Sequence, residues 1–148
     1  MRLRIALGLF LLVAAATACL AQEITVRVVN GKTGKPLKGE SVFVQFLDQT
    51  FSSKLSFTTD AKGEAHFAIP APNPGHLNLR VLLNPEHWRC GCWVMADTKT
   101  VVQQGIVERV PKKNAKGSDM VAGKPKEIVI VARPLNFGER LLYPLVKD

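Results

Sequence analysis

An all-β fold, a two-layer antiparallel sandwich of about seven to eight short strands, is what the sequence predicts, on three observations. Apolar residues recur at every second position in short runs. Clusters of Gly, Pro, Asn and Asp interrupt those runs at short intervals. A helical period is nowhere sustained across the 148 residues.

The chain opens with a predicted export signal. Arg2 and Arg4 precede the apolar stretch 5–16, which has the length of a signal core and is too short to span a bilayer. Two small-x-small cleavage sites follow, Ala16-Thr17-Ala18 and Cys19-Leu20-Ala21. Cleavage after Ala21 is the expectation, giving a signal peptide over 1–21, a sandwich over 22–134 and a C-terminal tail over 135–148. An alternative is that Ala16-Thr17-Ala18-Cys19 acts as a lipobox and Cys19 carries a lipid, although Ala16 stands where such signals usually have Leu. Loss of the leader takes Arg2 and Arg4 with it and lowers the formal charge from +8 to +6. An exported basic domain meets acidic polysaccharide, anionic headgroups or an acidic protein face, so no nucleic acid is expected as partner. Net charge that simply maintains solubility is the plainer account.

The strands follow in order. Ile24, Val26 and Val28 share one face of the first, which stops at Asn30-Gly31. Residues 30–39 are dense in Gly, Asn and Pro and form turns. Alternation resumes over 41–47, with Val42, Val44 and Phe46 opposed to Phe43, Gln45 and Leu47. Residues 54–58 and 64–69 are predicted as the arms of a tight hairpin, with Asp60 bonding the backbone two residues on and Gly63 supplying a positive φ. Phe57, Ala65, Phe67 and Ile69 point inward there. Pro70, Pro72 and Pro74 remove ladder donors, so 70–75 reads as a stiff crossover between sheets. Leu77, Leu79 and Val81 mark the next inward row, opposed to Asn78, Arg80 and Leu82. Residues 89–95 are predicted extended, 97–104 polar with room for a helical turn, and 105–110 extended. Residues 111–125 form a basic loop without periodicity, and 126–132, with Ile128 and Ile130 on one face, is the clearest strand of all. The spacing as a whole is that of an Ig-like or prealbumin-like sandwich.

Two segments carry a resemblance. The strand 24–30 followed by Thr33-Gly34-Lys35-Pro36-Leu37-Lys38-Gly39, and later Thr58-Thr59-Asp60 with Gly63 and Phe67, resemble the "TG-x-PL-x-G" and "TD-x-x-G-x-x-F" signatures of the carboxypeptidase regulatory-like domain, a small transthyretin-like or Cna-B-like sandwich. The match spans about residues 23–70, and its motifs are turn residues of moderate specificity. The remainder, with residues 104–107 and 128–134, looks like small exported bacterial proteins that carry such a domain alone. The resemblance implies a non-catalytic accessory module used for rigidity, docking or ligand contact, and nothing in it implies peptidase activity; no cofactor is expected. That group carries cysteines on both sides of the strand equivalent to 105–110, whereas none follows Cys92 here, so a long-range disulfide does not carry over.

The most unusual local chemistry is His87-Trp88-Arg89-Cys90-Gly91-Cys92-Trp93. In a strand Cys90 and Cys92 share a face, so with His87 they could hold a soft ion, Cu(I) or Zn(II). Only one residue separates the two thiols, whereas structural zinc pairs are spaced by two to four. A strained local disulfide, a bond between chains and a pair of inert thiols are the alternatives. Trp88 and Trp93, with Arg89 beside them, are candidates for a carbohydrate or peptide platform, against the plainer role of filling core and covering a sheet end. His66 and His76 read as half-exposed strand residues, and Asp60 and Glu64 as turn residues. Neither a nucleophile elbow nor a phosphate loop is present, so no enzyme is expected. Lys112, Lys113, Lys116, Lys124 and Lys126 crowd one loop and are ordinarily solvated there. The tail, with Leu135, Phe137, Leu141, Leu142, Tyr143, Leu145 and Val146, is too apolar for a free end. A short helix over 136–142, ended by Pro144, is expected either to pack on the sandwich or to dock on a partner or membrane. The function predicted is an exported, periplasmic or secreted module for protein or envelope-polymer interaction. Membrane contact would run through lipidated Cys19 or the tail.

Overall fold

The computed structural model describes residues 22–47, 54–84, 87–89, 93–109 and 119–142. The predicted leader, with Cys19, lies outside them, as do Cys90 and Cys92. Among the described residues ten strands and two short helices follow one another: β1 (Gln22–Asn30), β2 (Ser41–Phe46), β3 (Lys54–Thr58), β4 (Glu64–Ile69), β5 (His76–Leu82), β6 (Trp88–Arg89), β7 (Trp93–Asp97), α1 (Thr98–Gln104), β8 (Ile106–Arg109), β9 (Asp119–Ala122), β10 (Glu127–Pro134) and α2 (Phe137–Leu142).

The strands form the predicted sandwich. The first sheet has the order β4-β1-β10-β8-β9, with β6 paired to the end of β10, and the second has the order β3-β2-β5-β7. Inward residues alternate as the sequence requires. Ile24, Val26 and Val28 of β1 and Ile128, Ile130 and Ala132 of β10 are at most 1% exposed. They face Val42, Val44 and Phe46 of β2 and Leu77, Leu79 and Val81 of β5, all within 3%. Burying a side chain of this size stabilises by about 1.5–3 kcal/mol, which is why the period-two pattern fixes the register of every strand. Phe67 of β4 touches two rings of the opposite sheet, Phe46 at 6.2 Å and Phe57 at 6.1 Å between centroids.

Strand direction is where the structure goes beyond the sequence. β10 lies parallel to both β1 and β8, and the other pairings are antiparallel. Alternation reports which face is buried and is the same for either direction, so these two parallel pairings leave no trace in the pattern. β9 falls inside the segment read as a basic loop and pairs with β8. It was hidden because an edge strand of four residues is too short to show a period.

The predicted hairpin at residues 54–69 requires correction. β3 pairs with β2 in the second sheet, and β4 pairs with β1 in the first, so the two arms do not pair with each other and the chain arches from one layer to the other. The turn chemistry itself is as expected. Asp60 Oδ1 accepts from the backbone N–H of Lys62 and Glu64, at 2.8 and 2.9 Å, and Gly63 has φ +72°. A strand turn signals reversal of the chain but does not specify whether the returning strand joins the same sheet.

The arch is tied to the first turn. Thr59, 4% exposed, donates its hydroxyl to Leu37 O (2.8 Å) and accepts from Glu40 N (2.9 Å). Its own N–H goes to Glu40 O and its carbonyl accepts from Gly39 N. Val28 N donates to Gly63 O and Val28 O accepts from Leu37 N. The "TG-x-PL-x-G" and "TD-x-x-G-x-x-F" segments thus close on each other as one hydrogen-bonded corner.

The proline-rich segment 70–75 carries the chain from the first sheet to the second, as its lack of ladder donors predicts. Thr98 pins it, donating its hydroxyl to Pro74 O and its N–H to Gly75 O. Asp97 caps α1 by accepting from Thr100 N at 2.8 Å, which packs Val101 into the core. At the far end Leu135 is buried, and α2 begins with a reciprocal capping box. Asn136 Oδ1 accepts from Glu139 N and Glu139 Oε2 accepts from Asn136 N, both at 2.9 Å. Glu139 also accepts two bonds from the Arg133 guanidinium, at 2.8 and 3.0 Å. The described start of the tail is therefore clamped to the end of β10, while Phe137 and Leu141 point to solvent at 79% and 61% exposure.

Candidate functional site

The outward rows of the second sheet build a surface of mixed apolar and cationic character. Because Val42, Val44 and Phe46 point inward, Phe43 and Gln45 must point out, and in β5 the same holds for Asn78, Arg80 and Leu82. Register then fixes their neighbours. Arg80 stands opposite Phe43 on one side and Trp93 on the other, and Asn78 stands between Gln45 and Met95. Lys54 extends the second row from β3. Trp93 is 63% exposed and Met95 60%, values far from what large apolar side chains adopt without cause.

Between these rows lies an open groove of about 420 Å³. Its lining combines Phe43, Leu82 and Trp93 with the amide of Asn78 and the cations of Arg80 and Lys54, and among the described residues no Asp or Glu contributes. Within the described residues neither cation has an ion-pair partner. Asn78 Oδ1 is buried and meets no hydrogen-bond donor. A buried acceptor in that condition is costly, so it marks a place where the free surface is incomplete.

A second groove, of about 450 Å³, lies at the end of the first sheet and includes Lys32, Arg109 and Arg133. Its Arg133 is already engaged by Glu139, which raises the guanidinium pKa above its ordinary value. Glu108, on β8, is 2% exposed, a buried carboxylate that the reading of 105–110 as simply extended did not single out.

The other predicted site residues are distributed as follows. Trp88 sits half-buried on β6 against Pro134 of the first sheet, and Trp93 stands on the outer face of the second, with no described contact between them. Arg89 is the register partner of Arg133 on the β10 side, and its side chain is not described. His87 is exposed; its N–H donates to Asn84 O and its carbonyl accepts from Leu135 N. The proposed metal or redox partners Cys90 and Cys92 lie outside the described residues. Among the described residues no group of three metal-ligating side chains converges. His66 bonds Thr25 on the outer face of the first sheet, at 3.2 Å.

Trp93 was singled out by its neighbourhood, while Phe43, Asn78, Arg80 and Lys54 were missed. Their signal was present in the outward positions. A solvated face is normally polar throughout, yet Phe43, Leu47, Leu82, Trp93 and Met95 all stand on the side opposite the core.

No family model matches this chain, and no curated protein does. Solved structures with a similar strand arrangement include a streptococcal ancillary pilin, at TM-score 0.46 and 11% identity over 78% of this chain. The full-length major pilin SpaD from Corynebacterium diphtheriae gives TM-score 0.46 and 13% identity over 77% of this chain. An intradiol ring-cleavage dioxygenase from Tetranychus urticae gives TM-score 0.42 and 16% identity, covering 77% of this chain and 81% of that one. The chain spans 30% of the length of each of the two pilins. The likeness is one of strand arrangement, and the sandwich stands on the register and burial described above.

Proposed function

We propose that this chain is an exported β-sandwich module of the carboxypeptidase regulatory-like kind, which acts by surface contact with a protein or envelope polymer and carries out no catalysis. The observation that supports it is the outer face of the second sheet. There a rigid ladder of four strands holds Trp93 and Met95 in solvent beside Arg80 and Lys54, which have no ion-pair partner among the described residues. Large apolar side chains fixed on a rigid sheet lose little entropy on contact, which is what a docking surface needs. The two turn motifs closing into one corner give further support to the family assignment.

The test is co-sedimentation of the purified chain with washed envelopes of the producing cells, comparing wild type with a Trp93→Ser, Met95→Ser double variant. Retention of wild type and loss of the variant, at equal melting temperature, is expected. Equal retention of both proteins, or retention of neither, would overturn the reading.

A further inference from the structure

We propose that the groove on the outer face of the second sheet binds an acidic polysaccharide of the uronic-acid type, with Trp93 as the platform for a sugar ring and Arg80 and Lys54 as carboxylate contacts. The inference rests on the surface-contact reading above and gives it a ligand class.

Three features of the groove converge on that chemistry. The first is the exposed indole of Trp93 in the row Phe43, Arg80, Trp93, where the register sets Arg80 between two aromatic residues. A pyranose ring offers a flat apolar face of matching kind, and Trp combines a large apolar surface with a polar N–H at its edge. The second is charge. Arg80 and Lys54 line the groove with no acidic neighbour among the described lining residues, so an anion placed there meets two cations that have no ion-pair partner among the described residues. Arg binds carboxylates through a two-point fork, which favours a planar carboxylate over a point charge.

The third is the amide of Asn78, whose oxygen is buried without a donor between Gln45 and Met95. A sugar hydroxyl can both donate to an amide oxygen and accept from an amide N–H. An inorganic polyanion has no such donor and would leave the oxygen as it is. An acidic peptide is disfavoured for a different reason. The backbone groups of β2 and β5 beneath the groove are committed to their ladders, so a peptide lying across the groove, away from the sheet edges at β3 and β7, would have to bind through side chains alone.

The experiment titrates the purified chain with polygalacturonate, with dextran as a neutral polysaccharide, with polyphosphate as a polyanion lacking donors, and with polyglutamate as an acidic peptide. Calorimetry is run at two salt concentrations. Saturable binding of polygalacturonate in preference to the other three is expected. Trp93→Ala weakens it roughly tenfold and Trp93→Phe restores part of the loss. Arg80→Gln weakens it and flattens its salt dependence. Asn78→Ala weakens it while the melting temperature stays level or rises, since an unsatisfied acceptor has been removed. Polyphosphate bound as tightly as polygalacturonate, without regard to Trp93, would reduce the groove to general charge attraction and overturn the proposal. Preference for polyglutamate, or no binding of polygalacturonate, overturns it as well. If polygalacturonate fails while envelope retention still depends on Trp93, the ligand class falls and the surface-contact reading stands.

Discussion

Replacing Gly63 by Ala tests the corner at which the two turn motifs meet. Gly63 is buried with φ +72°, and a Cβ built there would lie 2.7 Å from Val28 O, 3.0 Å from Leu37 N and 3.0 Å from Pro36 Cβ. The left-handed backbone costs an L residue roughly 1–2 kcal/mol. Relief of the clash moves Val28 O, the acceptor of Leu37 N at 2.9 Å, and weakens a bond worth about 1 kcal/mol. Reduced freedom of the unfolded chain offsets about 0.4–1 kcal/mol. The net loss is about 2 kcal/mol, or roughly 8 °C in melting temperature for a domain of this size. Gly34→Ala is the control, because Gly34 has φ +70° with nothing within 4 Å of its would-be Cβ. Only the backbone cost and the unfolded-state offset act there, so its loss stays near 1 kcal/mol or below, about 4 °C. Thermal denaturation of both variants, followed by circular dichroism, decides the matter. Equal shifts would show that the close approach at Gly63 contributes nothing, and an unshifted Gly63→Ala would refute the need for positive φ.

Three further outcomes are expected. Thr59→Val removes a donor to Leu37 O and an acceptor from Glu40 N, costing about 2 kcal/mol, whereas Thr59→Ser retains both bonds; chemical denaturation separates them. Glu139→Ala breaks both the capping box and the Arg133 pair, so amide exchange across α2 accelerates roughly tenfold while exchange in β1 and β10 is unchanged. Acid has a signed effect. The Asp60 carboxylate is held below the ordinary aspartate pKa chiefly by the Glu64 N–H, and Asp97 by the Thr100 N–H. Their contribution is complete above the unfolded value of about 3.9 and is lost as pH falls through the folded values. Burial raises Glu40 instead, so its protonation favours the fold as pH falls and opposes the other two. Melting temperature followed from pH 7 to pH 2 is expected to drop below about pH 4. A double Asp60→Asn, Asp97→Asn variant, which keeps the caps without the charge, is expected to flatten that drop.

Burial was legible in the sequence almost residue by residue. The inward sets at β1, β2, β4, β5 and β10 follow from alternation because a slip of one position would put a whole apolar row into water. Pairing was less legible. Asp60 and Gly63 announce a turn, but the arch from β3 to β4 depends on which sheet offers β4 a partner, and that partner is β1, far back in the chain. The outer groove was read in part. Trp93 was visible as an aromatic near an unusual cluster, whereas Asn78 and Arg80 acquire significance only when β2, β5 and β7 are placed side by side.

The parallel pairing of β1 with β10 also sets an order of events. Arg27 and Glu127, joined by an ion pair across these strands, are 100 residues apart in the chain. β1 lies between β4 and β10, so β4 can cover one flank early, but the other flank waits for residue 127 onward. Without β10 the first sheet is two fragments, β4-β1 and β8-β9, each with a bare ladder edge of the kind that invites foreign strands. Loop closure over such a span is slow compared with local pairing. The molecule therefore behaves as a clasp whose last-made strand fastens the first, and truncation before β10 would leave both halves of the first sheet open rather than a smaller, sound sandwich.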